Sequence, residues 1–158
     1  MMENATDTRS RLPLSAAIDR AVKALGQGDL ADAEKVCRSV LRALPENPDA
    51  MHILGIVIQR RGDLAAGIAL LQKAVGFAPK SGQMLANLCE MLRLSGDATA
   101  AAAVGRRAAK LAPGLATAHS NLGIALYDCG DLDAAFASLQ TFLWFVQLHT
   151  TLCADVAQ

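Results

Sequence analysis

A Gly-Asp step returns through this chain at a constant interval: Gly28-Asp29-Leu30, Gly62-Asp63-Leu64, Gly96-Asp97-Ala98 and Gly130-Asp131-Leu132, each glycine 34 residues after the last. Pro45, Pro79 and Pro113 keep the same interval. Two markers in one register over most of the chain leave little freedom in the choice of fold. Self-similarity at a period of about 20–50 residues belongs to stacked repeats, in which each unit buries its apolar face only against its neighbours. The units are laid end to end as 14–47, 48–81, 82–115 and 116–149. A polar leader, 1–13, precedes them, and 150–158 extends the last helix.

The second unit shows how each is built. Asn47 offers a side-chain cap, Pro48 suits the first helical position and Asp49 faces the positive helix end, so a helix is predicted from Pro48. Met51, Leu54, Gly55 and Ile58 recur at i, i+3, i+4 and i+7 and gather into one apolar stripe. Gly62 closes that helix, because glycine enters the left-handed conformation at least cost, and Asp63 caps the next. The second helix carries Leu64, Gly67, Ile68, Leu71, Ala74 and Val75 on its buried side, and Pro79 follows its end. Gly55 and Gly67, with Ala21, Ala33, Ala101, Gly123 and Ala135 at matching places, are small enough for two antiparallel helices to approach closely. Each unit is predicted to be a helical hairpin.

These residues resemble the tetratricopeptide repeat (TPR) family, whose pattern runs W-x2-L-G-x2-Y, then A-x3-F, then P. The matching runs are Met51-x2-Leu54-Gly55-x2-Ile58 with Gly67-x3-Leu71 and Pro79, and His119-x2-Leu122-Gly123-x2-Leu126 with Ala135-x3-Leu139. Leu85-x2-Leu88-Cys89-x2-Leu92, with Ala101 and Pro113, makes a third, and Ala17, Arg20, Ala21 and Ala24 a weaker first. Aliphatics replace most of the family's aromatics. The resemblance implies an all-α, right-handed α-solenoid of about four helix-turn-helix repeats whose first helices line a concave groove for a peptide or protein partner. In family terms the groove is lined by Asp49, His52, Ile56, Gln59 and Arg60; by Gln83, Ala86, Asn87, Glu90 and Arg93; and by Thr117, Ser120, Asn121, Ile124, Tyr127 and Asp128. Asn87 and Asn121, one repeat apart, resemble the asparagine ladder of O-linked N-acetylglucosamine transferase repeats, with Ile53 interrupting the series. Two readings stand for them: they hydrogen-bond the backbone of an extended peptide, or they bond neighbouring helices. The Lys and Arg clamp of chaperone-tail-binding members is missing, since Ala86, Ser120 and Asn121 hold those places.

Composition narrows the work such a stack can do. Lys plus Arg equal Asp plus Glu at 15 each, so no net field draws nucleic acid or an acidic membrane. The distribution is polar: every Lys and Arg lies at or before Lys110, and the remainder carries Asp128, Asp131, Asp133 and Asp155. The start of the chain is not an apolar signal, and no run approaches the roughly 20 apolar residues of a membrane span. A cytoplasmic address is expected. Cys37, Cys89, Cys129 and Cys153 form no Cys-x-x-Cys pair and read as buried free thiols of a reducing compartment. No Gly-rich phosphate loop, His-Glu-x-x-His or Gly-x-Ser-x-Gly is present, so neither enzyme activity nor a cofactor is expected. His149 and Cys153 stand at i, i+4, too few ligands for a metal site.

The last helix departs from the pattern. Gln147 stands where the next proline is due, and the run Phe142 to Leu148 is apolar all round. Such a helix needs cover on both sides, whereas terminal repeats usually present a polar outer face. Phe142, Trp144, Phe145 and Leu148 are therefore candidates for self-association, as in a homodimer, or for docking another domain; the alternative is an ordinary final core helix. The family resemblance implies two functions: a non-catalytic adaptor, or the N-terminal substrate-presenting arm of a larger bacterial glycosyl-, sulfo- or methyltransferase, whose next domain would attach at this apolar end.

Overall fold

The computed structural model describes the backbone of residues 13–156 and the side chains of 13–148. Residues 1–12 of the expected leader, and the His149 and Cys153 side chains, lie outside that range. The described chain is eight helices without a strand: α1 (Leu14–Gly26), α2 (Leu30–Ala43), α3 (Pro48–Arg60), α4 (Leu64–Phe77), α5 (Gly82–Leu94), α6 (Ala98–Leu111), α7 (Ala116–Asp128) and α8 (Leu132–Val156).

The Gly-Asp step is the hinge inside each hairpin. Gly28, Gly62, Gly96 and Gly130 all have positive φ, between 79° and 99°, a region that costs other L-residues roughly 1–2 kcal/mol. Turning the chain there lets the next amide reach back into the finished helix, as Asp63 N–H does to the Ile58 carbonyl at 3.2 Å. The Asp63 carboxylate then accepts from the Ala66 amide at 2.9 Å, and Asp29, Asp97 and Asp131 cap α2, α6 and α8 in the same way. Asn47 and Ser81 cap α3 and α5.

Each helix packs most broadly against its hairpin partner, and α2, α4 and α6 in turn carry α3, α5 and α7 of the following hairpin. The result is an α-solenoid. At the α3–α4 crossing the backbones meet at Gly55 and Gly67, where a Cβ on Gly67 would stand 2.8 Å from the Gly55 carbonyl oxygen. Stacking changes one expectation from the sequence. A single apolar stripe on α3 is replaced by burial on two sides: Met51, Leu54 and Gly55 are buried, and so are Ala50, Ile53 and Val57, while Ile58 is only half-buried. The reason is that α3 packs on α2 as well as on α4. One core cluster joins α1, α2 and α3 and a second runs from Met51 on α3 to Ala135 on α8, with Leu41 and Leu70 packed against both.

Candidate functional site

A first helix held on two sides by second helices keeps a third side free, and the side chains expected to line a groove stand there at the 34-residue interval. Asp49, Gln83, Thr117, Tyr127 and Asp128 are exposed; His52, Ile56, Gln59, Asn87, Glu90, Arg93, Ser120, Asn121 and Ile124 are half-buried. Three residues depart from the pattern. Ala86 is fully buried and contributes only its carbonyl. Gln59 has its Cβ 3.1 Å from where a Gly67 side chain would begin, so its stem belongs to the hairpin crossing. Arg60 donates to the Leu25 carbonyl at 3.1 Å, fastening α3 to α1.

The asparagines bond neighbouring helices. Asn87 on α5 donates its amide to His52 Nε2 on α3 at 2.7 Å, and Asn121 on α7 donates to the Ala86 carbonyl on α5 at 2.9 Å. Both bonds join residues 35 apart, one position in each repeat to the next position in the following one. At the first junction the same pair is Ile18 and Ile53, which pack in one apolar cluster. Ile53 therefore interrupts the ladder because its lateral partner is apolar. Gln83 donates to Asn87 Oδ1 at 3.3 Å, whereas the Asn121 amide oxygen has no partner among the described residues. One asparagine is spent within the fold and the other keeps an acceptor at the surface.

The helices are unevenly spaced along this surface. Helices α5 and α7 pack broadly, while α3 and α5 barely touch apart from the His52 to Asn87 bond. Ala86 against Asn121 lets backbones approach; the His52 ring holds them apart. Burial lowers the His52 pKa from its ordinary value near 6.5, and Asp49 partly opposes that. The ring is neutral near pH 7, and accepting at Nε2 places its proton on Nδ1. Arg93 forms two bonds to Glu90, at 2.9 and 3.2 Å, and stands 3.7 Å from Asp128, so the cation of this surface is already matched by acids.

Elsewhere the side chains divide differently from the sequence expectation. Cys37 and Cys89 are buried, and burial pushes their thiols up to about 11 and about 12, but Cys129 is exposed at the end of α7. It leaves the core because it follows the last turn of α7, beside the Gly130 hinge. On α8, Phe142 and Phe145 are half-buried, with the Phe145 ring 5.8 Å from His119 on α7, while Trp144 and Leu148 are exposed. Phe136 and Leu143, 64% and 60% exposed, were not among the expected interface residues. The signal for them lay in the 34-residue register, which aligns them with Ala102 and Ala109 and with Ile68 and Val75. A cleft of about 660 Å³ between α1 and α2, lined by Leu14, Arg20, Val36 and Leu44, had no sequence signal. Among the described residues there is no cluster of three or more His, Cys, Asp or Glu able to hold a metal, and no helix long and apolar enough to cross a membrane.

Family models of the tetratricopeptide repeat match residues 18–82 and 116–140. Among solved structures, a mutant of the Thermobaculum terrenum O-GlcNAc transferase is 31% identical with a TM-score of 0.68, over 71% of this chain and 22% of that one. This chain thus spans under a quarter of that protein. Pseudomonas aeruginosa pilF is 20% identical with a TM-score of 0.77, over 83% of this chain and 60% of that one. YrrB, described as a TPR protein with an unusual peptide-binding site, is 19% identical with a TM-score of 0.69, over 91% and 74%. At those identities the last two speak to the fold alone. Comparison with curated proteins returned no match.

Proposed function

Because the chain belongs to the tetratricopeptide repeat family, we propose that it is a non-catalytic interaction module whose first-helix surface holds a peptide or protein partner. The observation that carries this reading is on α7. Tyr127, 64% exposed, lies one turn from half-buried Ile124 and on the same helix as the Asn121 amide oxygen, which has no partner among the described residues. An exposed aromatic beside an apolar side chain and an unused acceptor is the kind of anchor that protein interfaces favour. Arg93 is neutralised by Glu90 and Asp128, so the fitting partner is an extended or helical segment without a terminal carboxylate to be clamped. The thiols of Cys37 and Cys89 suit a reducing compartment, and we place the protein in the cytoplasm. Partner capture by the intact protein and by a Tyr127→Ala, Gln83→Ala variant tests the groove. Both side chains are exposed, so the variant should melt with the parent and lose the partners. An unchanged partner set removes the groove from the reading.

A second reading is favoured by the 31% identity to part of an O-GlcNAc transferase: the repeats are the substrate-presenting arm of a larger transferase. An antibody raised against the α4 to α6 region decides between them in extracts of the source cells. A product near 16.5 kDa sinks the arm, and one several times larger that carries transferase sequence sinks the free-standing adaptor.

A further inference from the structure

The 34-residue register gives positions on α8 counterparts on α4 and α6, and the counterparts of Phe136 and Leu143 are buried or half-buried. Val75 on α4 is 8% exposed and Ala102 on α6 is 3%, because α5 and α7 lie over them; at the same register positions Leu143 is 60% exposed and Phe136 64%. The face of α8 that interior hairpins bury is open. Among the described residues no segment turns back to close it. First helices begin at Leu14, Pro48, Gly82 and Ala116, so the next would begin at 150, yet α8 runs unbroken to Val156. At 25 residues against 14 for α2, α4 and α6, it is about 37 Å long instead of about 21 Å.

The open face has its own pattern. Leu132, Phe136, Leu139, Leu143 and Val146 stand at i, i+4, i+7, i+11 and i+14. That alternation of four and three is the seam of a two-helix coiled coil. Leu139 is half-buried, and its side chain lies where a Cβ on Gly123 would go, so it is shared with α7. Leu132, Phe136, Leu143 and Val146 remain exposed.

We propose that α8 pairs antiparallel with α8 of a second copy of this chain, around a seam of Leu132, Phe136, Leu143 and Val146 with its twofold axis near Leu139. Charge selects both the partner and the direction. Between Leu132 and Leu148 the only ionisable side chain is Asp133, so two such faces meet without burying a repelling pair. A parallel pairing would bring the Asp128, Asp131 and Asp133 groups of the two copies together; the antiparallel one sends them to opposite ends. Head-to-tail stacking is disfavoured by the other end of the molecule. On α1, Ala16, Arg20 and Lys23 hold the register positions where α5 carries buried Met84, Leu88 and Met91. An apolar face set against them would take the Lys23 ammonium and the Arg20–Asp32 ion pair out of water, at a desolvation cost that an apolar partner does not repay. The assembly therefore closes at two copies and does not extend into a filament.

Light scattering coupled to size exclusion under reducing conditions tests this. The expected mass is twice the 16.5 kDa of the chain. It should fall to 16.5 kDa in a Phe136→Asp, Leu143→Asp variant whose helical circular dichroism is unchanged, since both side chains are exposed. A parent that stays monomeric up to about 100 µM, or a variant that stays dimeric, overturns the proposal. Direction is read by cross-linking with Cys129 and Cys153 replaced by serine. A mixture of Phe136→Cys and Leu143→Cys chains should form a disulfide that neither forms alone, and a Phe136→Cys chain that cross-links to itself overturns the antiparallel register.

Discussion

His52 is the residue whose role depends most on its surroundings. As a lone histidine in a helix it carries no pattern, and only the Asn87 amide 2.7 Å from its Nε2 makes it a fastener between hairpins. Its titration follows from that position. Burial holds the folded-state pKa below the ordinary value near 6.5, so below pH 6.5 the unfolded chain takes up the proton first. The contribution of this site is therefore complete above about pH 6.5 and is lost as pH falls from there through the folded-state pKa. Thermal melts at pH 7.5 and 5.5 should show a lower midpoint at the acid pH, and a His52→Gln variant should show a smaller drop. Equal drops in the two proteins would mean that His52 stays as accessible to protons in the fold as out of it. The asparagines make the same point. Their 34-residue spacing was legible, and their use was not, because the two readings differ only in which atom lies across a gap of about 3 Å.

At the scale of the element, small residues at helix crossings and glycines on helix surfaces look alike in sequence and behave oppositely. Gly67 and Gly76 both lie in α4. A methyl at Gly67 would press on the Gly55 carbonyl at 2.8 Å and on Gln59, whereas nothing lies within 4 Å of the corresponding position on Gly76. Alanine is the better helix former by about 1 kcal/mol, which alone would stabilise both. At Gly67 the clash outweighs it, and Gly67→Ala should cost about 1–3 kcal/mol. Gly76→Ala should stabilise by up to about 1 kcal/mol. Urea denaturation of the two variants checks the opposite signs, and a stabilised Gly67→Ala would mean that the hairpin can open without loss. Helix α8 shows where reading one element by itself fails. Its apolar composition was evident, but the expected interface residues Phe142 and Phe145 turn half-inward, and the open stripe lies at Leu132, Phe136 and Leu143. Which side of an all-apolar helix meets α7 is settled by packing against Gly123 and His119, not by the helix itself.

At the scale of the whole molecule, stability is distributed along a line, each hairpin resting on its neighbours. The middle should be the most resistant. Helix α5 lies between α4, α6 and α7 and buries Met84, Leu85, Leu88, Met91 and Leu92, while α1 is covered from one side and buries only Ala21 and Ala24. Native-state hydrogen exchange should protect the α5 amides at least tenfold more than those of α1, or about 1.4 kcal/mol. Uniform protection would mean that the stack unfolds as one unit. By itself the sequence determined the number of hairpins, the hinge at each Gly-Asp step and the caps that follow it. Those features depend on backbone conformation and on groups within a few residues, so they are written locally and repeat with the chain. Tertiary structure alone decided that first helices are buried on two sides, that Asn87 and Asn121 spend their amides on the preceding hairpin, and that Phe136 and Leu143 lie open. These depend on what stands one repeat away in space, and a register of 34 residues says which positions correspond without saying which of them touch.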